Sequence, residues 1–293
     1  MRVHLVDGTF ELYRAHFAPK PPHTAPDGRD LKASLGVAQS LLGLLADRDE
    51  KVTHLAVAFD NPIRSFRNDL FDAYKSDEGV PPELHAQFDE VEKAVRTLGV
   101  TAWSMNEFEA DDALATAAVR YAAMPEVEQV RIMTPDKDLG QVLLGEKIVQ
   151  IDRMRRKQIT EASQLKDKGL KPAQVPDFLA LVGDTADGIP GLPGWGEKST
   201  ALVLSAYEHI EDIPRLARDW RVDVRGALKL AASLEAGRVD ALLYRTLATL
   251  RLDVPLREML GDLEFKGVPK QAFLAWCDAM GSESTKTRPT RWA

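Results

Sequence analysis

Glu109-Ala110-Asp111-Asp112 lies between a strand-like run that ends near Ser104 and a helical run over residues 113–123. Three carboxylates in four residues at a strand-to-helix junction decide how the rest of the chain is read. A helix N-terminus favours acidic residues through capping and the helix dipole, which accounts for any one of them. It does not account for the group. Glu109 and Asp112 are three apart and share a helix face, and Asp111 folds back from the first turn toward the same side. Like charges this close raise one another's pKa unless cations lie between them.

Further acids stand where other apolar runs end. Val3-His4-Leu5-Val6 stops at Asp7, Leu55-Ala56-Val57-Ala58-Phe59 stops at Asp60, and Val130-Arg131-Ile132-Met133-Thr134 stops at Pro135-Asp136-Lys137-Asp138. Short apolar runs separated by helical stretches predict a parallel α/β sheet, and such sheets gather functional residues outside the carboxyl ends of their strands. That expectation puts Asp7, Asp60, Asp136 and Asp138 in one crevice with Glu109, Asp111 and Asp112, with no evident set of Lys or Arg partners. Divalent, oxygen-seeking ions then have to neutralise them. One Cys and six His exclude a zinc-type donor set, which leaves Mg²⁺ or Mn²⁺.

Length and composition are compatible with this. The 293 residues allow one large or two ordinary domains, and 44% hydrophobic residues supply a core. Cys277, the single thiol, has no internal disulfide partner, and no apolar run approaches a membrane span. With a first strand that starts at once after Met1, the expected location is the cytoplasm. The net charge of −7 argues against a polyanionic partner, but setting aside nine candidate metal-binding acids leaves fewer acids than the 38 bases. Binding to nucleic acid then depends on local patches, metals and backbone amides.

Taken in order, Gly8 to Arg14 forms a turn into a helix that sets Arg14 near the crevice, and residues 18–29 form a Pro/Gly-rich loop. Leu31, Leu35, Val37, Ala38, Leu41, Leu42 and Leu45 recur at helical spacing, as a core stripe does. Arg67 and Lys75 read either as solvated cations or as clamps on a scissile phosphate. The most specific stretch is Gly183-Asp184-Thr185-Ala186-Asp187-Gly188-Ile189-Pro190-Gly191-Leu192-Pro193-Gly194-Trp195-Gly196-Glu197-Lys198-Ser199. Gly191, Gly194 and Gly196 let a ligand approach the backbone, Lys198 and Ser199 open a helix whose free N–H groups suit phosphate, and Asp184 and Asp187 suit a second metal site. Residues 207–260 read as helical, and the basic tail from Arg288 to Arg291 reads as disordered.

Leu5-Val6-Asp7-Gly8, Ala58-Phe59-Asp60, Phe66-Arg67 with Tyr74-Lys75, Glu109 to Asp112, Thr134 to Leu139 and Gly183 to Gly191 occur in the order seen in bacterial 5′ nucleases. To about Leu256 the chain resembles the 5′-3′ exonuclease and flap endonuclease domain at the N-terminus of bacterial DNA polymerase I, here as a stand-alone member. The resemblance implies a PIN-like parallel-sheet nuclease domain over 1–158, with a short helical arch at about 64–82. It also implies a helical region over 159–293 with a helix-three-turn-helix module. It implies two Mg²⁺ or Mn²⁺ ions about 4 Å apart and a K⁺ at the Gly-rich turn. Asp7, Asp60, Glu109, Asp111 and Asp112 are expected in the tighter metal site, and Asp136, Asp138, Asp184 and Asp187 in the looser one.

Arg67, Lys75 and Asp112 are the expected catalytic residues. Arg14, Arg67, Lys75, Gly191, Gly194, Gly196, Lys198 and Ser199 are expected on DNA. The substrate implied is flapped, nicked or gapped duplex with a 5′ end, cut by a monomer working beside a polymerase in replication and repair. Two departures stand out: Ser76-Asp77-Glu78 replaces an arch Arg, and Gly188 stands where Asn is common. A non-catalytic binder of branched DNA would have lost metal-type carboxylates. A phosphoacceptor or nucleotide-binding protein would lack residues 183–199 and would show a phosphate loop, absent here.

Overall fold

Each apolar run that closes on an acid is a strand. The computed structural model describes residues 1–293. In chain order it contains β1 (Arg2–Asp7), α1 (Gly8–Phe17), α2 (Lys32–Ala46), β2 (His54–Asp60), the four-residue helices α3 (Arg67–Leu70) and α4 (Pro82–His85), α5 (Phe88–Thr97), β3 (Thr101–Met105) and α6 (Ala110–Ala122). Then follow β4 (Gln129–Met133), β5 (Ile148–Asp152), β6 (Lys157–Ile159), α7 (Glu161–Lys168), α8 (Val175–Val182), α9 (Glu197–Ala206), α10 (Ala227–Ala248) and α11 (Lys270–Met280). These elements form two units. One comprises Met1–Arg64, Asp77–Thr134 and Leu252–Ala293; the other comprises Ser65–Ser76 and Pro135–Arg251. The contacts thus divide along interleaved stretches, where the sequence suggests a single boundary at 158/159.

In the first unit β3, β2, β1 and β4 lie side by side in that order, all parallel. β1 and β2 are buried along almost their whole length, as strands covered on both faces are, which is why they read as unbroken apolar runs. The chain goes from β1 to β2 and β3 on one side and returns to β4 on the other. The strand order therefore reverses beside β1, the place where open α/β sheets put their ligands. Helix α6 packs against all four strands. Its Ala110, Ala113, Ala115, Ala117 and Ala118 are buried, so small side chains let the helix sit close to the sheet while keeping high helix propensity.

The C-terminal stretch departs from expectation. Within 207–260 only α10 is a long helix; residues 252–259 form neither helix nor strand and belong to the first unit. Arg120 and the Tyr121 hydroxyl donate to the Leu256 and Glu258 carbonyls, and the Trp103 indole N–H donates to the Glu258 carboxylate at 2.9 Å. The basic tail is ordered as well. Val268 pairs with Trp292, whose ring lies 5.9 Å from that of Phe273. Composition marks the tail as polar, but one long-range aromatic contact and backbone bonds to Val268 tie it down.

The second unit holds the antiparallel pair β5 and β6 and a helical core. Leu181, Leu192, Trp195, Val203, Trp220, Leu230 and Leu234 pack together in it. Ser65–Ser76 contributes one helical turn and tight turns to this unit, where the resemblance implied a helical arch. Four residues from Arg67 to Leu70 are the only helix there, because Asn68 folds back: its side-chain amide donates to the Tyr74 and Lys75 carbonyls.

Candidate active site

In the first unit the acids stand at the carboxyl ends of β1 and β2 and at the start of α6. Asp7 closes β1 and caps α1, accepting from the Phe10 N–H at 2.8 Å and from the Thr134 hydroxyl, just past β4, at 2.9 Å. Asp60 closes β2. Its backbone N–H donates to the Thr9 hydroxyl, and its carboxylate accepts from the Ala110 N–H at 2.7 Å, the first amide of α6. Asp112 reaches back to accept from the Glu109 N–H at 3.0 Å and is fully buried. Glu109 is buried and Asp111 half-buried.

Helix capping is therefore part of what Asp7, Asp60 and Asp112 do. It also explains how a chain carrying these acids folds: each sits where amides or hydroxyls converge on it. Thr9 and Thr134 were not singled out from the sequence. Their positions two residues after Asp7 and at the end of β4 were the available signal. Arg14, expected near the crevice, bonds the Glu11 carboxylate and the Ser40 hydroxyl within the first unit.

The second unit carries the other four acids. One oxygen from each of Asp138, Asp184 and Asp187 lies within 4.8 Å of the others. Two backbone bonds of 2.8 Å between Asp184 and Ile189 close the loop that carries Asp184 and Asp187. Gly188 inside it is required: a Cβ there would meet the Ala73 carbonyl at 2.3 Å. Gly188 also has φ 74°, so the backbone freedom expected of it is used there, and the close approach adds a second reason for glycine. Asp136 caps the short helical turn over Lys137–Val142 and accepts from the Asp138 N–H at 2.9 Å.

Asp138 is the focus of the cluster. Its side chain is buried and its Oδ1 has no hydrogen-bond partner. Burial, followed by the charges of Asp136 and Asp187, raises its pKa well above the usual carboxylate range. A buried oxygen without a donor, among hard oxygen ligands with no His or Cys, fits a divalent ion of the Mg²⁺ or Mn²⁺ type.

Two acids outside the seven read as lacking cationic partners, Asp184 and Asp187, are paired with lysines. Lys137 Nζ lies 2.5 Å from Asp184, and Lys75 Nζ lies 2.9 Å from Asp187. Burial works against the Lys137 charge, but the bond to Asp184 and the nearby Asp138 and Asp136 outweigh it and raise its pKa. Lys137 stands between two of the quoted acids in the sequence, so the signal was present.

Arg67 lies inside the second unit. It is 1% exposed, and its guanidinium donates to the Leu247 carbonyl at 2.7 Å and the Thr249 carbonyl at 3.1 Å, at the C-terminal end of α10. Those carbonyls have no helical donors and carry the negative end of the helix dipole, which is what a buried cation there satisfies. Arg67 thus braces the end of the helix.

The Gly-rich stretch joins α8 to α9. Gly194, Gly196 and Lys198 are exposed, Gly191 is buried and Ser199 half-buried. The Ser199 hydroxyl accepts from the Gly196 N–H at 3.2 Å and donates to the Gly196 carbonyl at 2.9 Å.

Comparison with known proteins agrees with this architecture. The family described as 5′-3′ exonuclease, N-terminal resolvase-like domain, matches residues 2–169, and the 5′-3′ exonuclease C-terminal SAM fold matches residues 170–271. The chain belongs to the 5′-3′ exonuclease family. It is 33% identical over 287 residues to DNA polymerase I of Bacillus caldotenax, covering 96% of this chain and 31% of that protein. The chain thus spans about a third of the length of such relatives. With a 5′-3′ exonuclease of Aquifex aeolicus it shares 28% identity over 92% of this chain and 94% of that one. The fold is similar to that of a bacteriophage T5 flap endonuclease solved with DNA and metal ions, with a TM-score of 0.62, 16% identity and coverage of 98% of this chain and 95% of that one.

Proposed function

We propose that this chain is a structure-specific 5′ nuclease that hydrolyses DNA phosphodiester bonds at 5′ ends, flaps, nicks or gaps in replication and repair. The buried Asp138 oxygen that no protein donor meets, within reach of Asp184 and Asp187, carries the proposal, because three hard carboxylate ligands so close together suit a divalent ion. Asp7, Asp60, Glu109, Asp111 and Asp112 would hold one Mg²⁺ or Mn²⁺, and Asp136, Asp138, Asp184 and Asp187 a second. Such ions, when bound, supply an activated water and steady the leaving 3′ oxygen.

The chain's own residues do the rest. Lys75, held by the Asp187 carboxylate, offers a positive charge to the phosphate on which charge develops. Gly191, Gly194, Gly196, Lys198 and Ser199 grip duplex phosphates, with a K⁺ at the turn, and Arg14 adds a further cation. A monomer acting on DNA in the cytoplasm beside a polymerase completes the reading. No helix is long and apolar enough to cross a membrane.

The direct test incubates 5′- and 3′-labelled flap, nicked and blunt duplexes with Mg²⁺, Mn²⁺ or EDTA. Cleavage is expected with either ion and none in EDTA, and the ions raise the melting temperature. Full activity in chelator sinks the two-metal reading.

The turn is tested separately. A Cβ at Gly196 would meet nothing within 4 Å and its φ is −102°, so Gly196→Val fits the protein and obstructs only what approaches from outside. Flap and duplex binding should weaken about tenfold, with a much smaller effect on cleavage of a short single strand. Lys198→Ala should weaken binding to all sequences alike and lower the salt dependence by about one phosphate contact. Equal losses on single strands and duplexes would make the turn structural.

A further inference from the structure

One face of α10 cradles the Gly-rich turn, and we propose that Gly237, on that face, is a positioning residue that sets the turn's shape for gripping duplex phosphates. The proposal rests on the reading of the turn as a phosphate grip. Three contacts define the face. The Trp195 indole N–H donates to the Leu230 carbonyl at 3.2 Å, and the Ser233 hydroxyl donates to the Pro193 carbonyl at 2.8 Å. At Gly237 the bare backbone receives Leu192: a Cβ there would stand 2.7 Å from Leu192 Cδ2. Positions 230, 233 and 237 are three and four apart, so they form one stripe of the helix.

Gly237 has no other evident purpose. It interrupts α10 with φ −106° and ψ 15°, values any residue adopts, and glycine destabilises a helix interior relative to alanine. What the position requires is space, and Leu192 fills that space. A side chain at 237 would push Leu192 and its neighbours. Gly191, next to Leu192, is closely packed in its turn, since a Cβ on it would lie 2.5 Å from the Val182 carbonyl carbon. A shift of Leu192 bears on residues 193–196, the turn that follows it, where Pro193, Gly194 and Gly196 are exposed.

The test compares Gly237→Ala, Ser233→Ala and the double variant Gly237→Ala with Leu192→Val, which shortens the side chain that the new Cβ meets. Flap-duplex Kd is measured in EDTA, KM and kcat on the flap with Mg²⁺, the cleavage rate on a short single strand, and the melting temperature. For Gly237→Ala the expected result is Kd and KM raised about tenfold, with kcat, single-strand rate and melting temperature held. Leu192→Val in the same chain should recover most of the affinity. Ser233 is half-buried and its hydroxyl bonds the turn at the Pro193 carbonyl, so Ser233→Ala should keep its fold and weaken duplex binding about threefold.

Unchanged duplex affinity in folded Gly237→Ala overturns the positioning role, as does a loss shared equally by single strands. Should Gly237→Ala fail to fold, Ser233→Ala decides alone, and unchanged affinity there overturns the proposal. Lys198→Ala separates the two levels. If it weakens duplex binding while the α10 variants do not, only the positioning role falls; if none of them does, the grip itself falls.

Discussion

Asp138→Asn is expected to lower flap cleavage by several orders of magnitude, to raise the melting temperature of the metal-free protein near neutral pH, and to reduce the further rise on adding Mg²⁺ to the part that the other metal site supplies. Burial, Asp136 and Asp187 lift the Asp138 pKa above its ordinary value of 3.8. Between the unfolded and the raised folded value, the native state holds a proton that the unfolded chain has released. Stability of the metal-free protein therefore falls as pH rises through that window, and the lost part is missing above it. Asparagine has no proton to lose, so the variant escapes that decline. It also lacks the charge that a divalent ion needs, and protons and ions compete for the wild-type oxygen, so Mg²⁺ affinity should rise with pH in that window. Thermal melts from pH 4 to pH 9, with Mg²⁺ or with EDTA, read all three effects. A variant that still gains the wild-type increment from Mg²⁺ would remove Asp138 from the metal set.

The second large effect belongs to Arg67. Arg67→Ala is expected to cost about 3 kcal/mol of stability, because it strips donors from two carbonyls at the end of α10 and leaves a cavity against Phe66, over whose ring the guanidinium sits at 4.7 Å. Against a typical stability of about 5–15 kcal/mol, that is a large share. Arg67→Lys should recover only part, since an ammonium cannot reproduce the planar, forked geometry. Denaturant melts measure the loss. If Arg67→Ala unfolds at the wild-type midpoint yet fails to cut bound DNA, the arginine serves the phosphate after all.

These two residues also show which properties sequence can reveal. The acids at Asp7 and Asp60 were legible because a strand buried on both faces is an unbroken apolar run, and the residue that ends it is conspicuous. Glu109, Asp111 and Asp112 were legible from spacing alone. Arg67 was not, because nothing near it in sequence indicates that residues 247 and 249 lie beside it. The same holds for Trp292, whose partner Phe273 is distant in the chain, and for residues 252–259, which Trp103, Arg120 and Tyr121 hold in place. Gly188 was visible as a glycine, but its necessity comes from the Ala73 carbonyl in another stretch. Local pattern reveals local structure, and contacts made across the chain are what it leaves out.

The interleaving of the two units bears on how the chain reaches its native state. The first unit is assembled from three stretches, and its last one begins only at Leu252, after the whole of Pro135–Arg251 has been traversed. A loop that long must be closed before Trp103 and Arg120 meet their partners, and the entropy of closure is borne before those contacts repay it. During synthesis the early strands therefore wait, incompletely covered, for the end of the chain. A chaperone or a rapidly folding second unit that shortens the effective loop would hasten completion more than any improvement within the strands themselves.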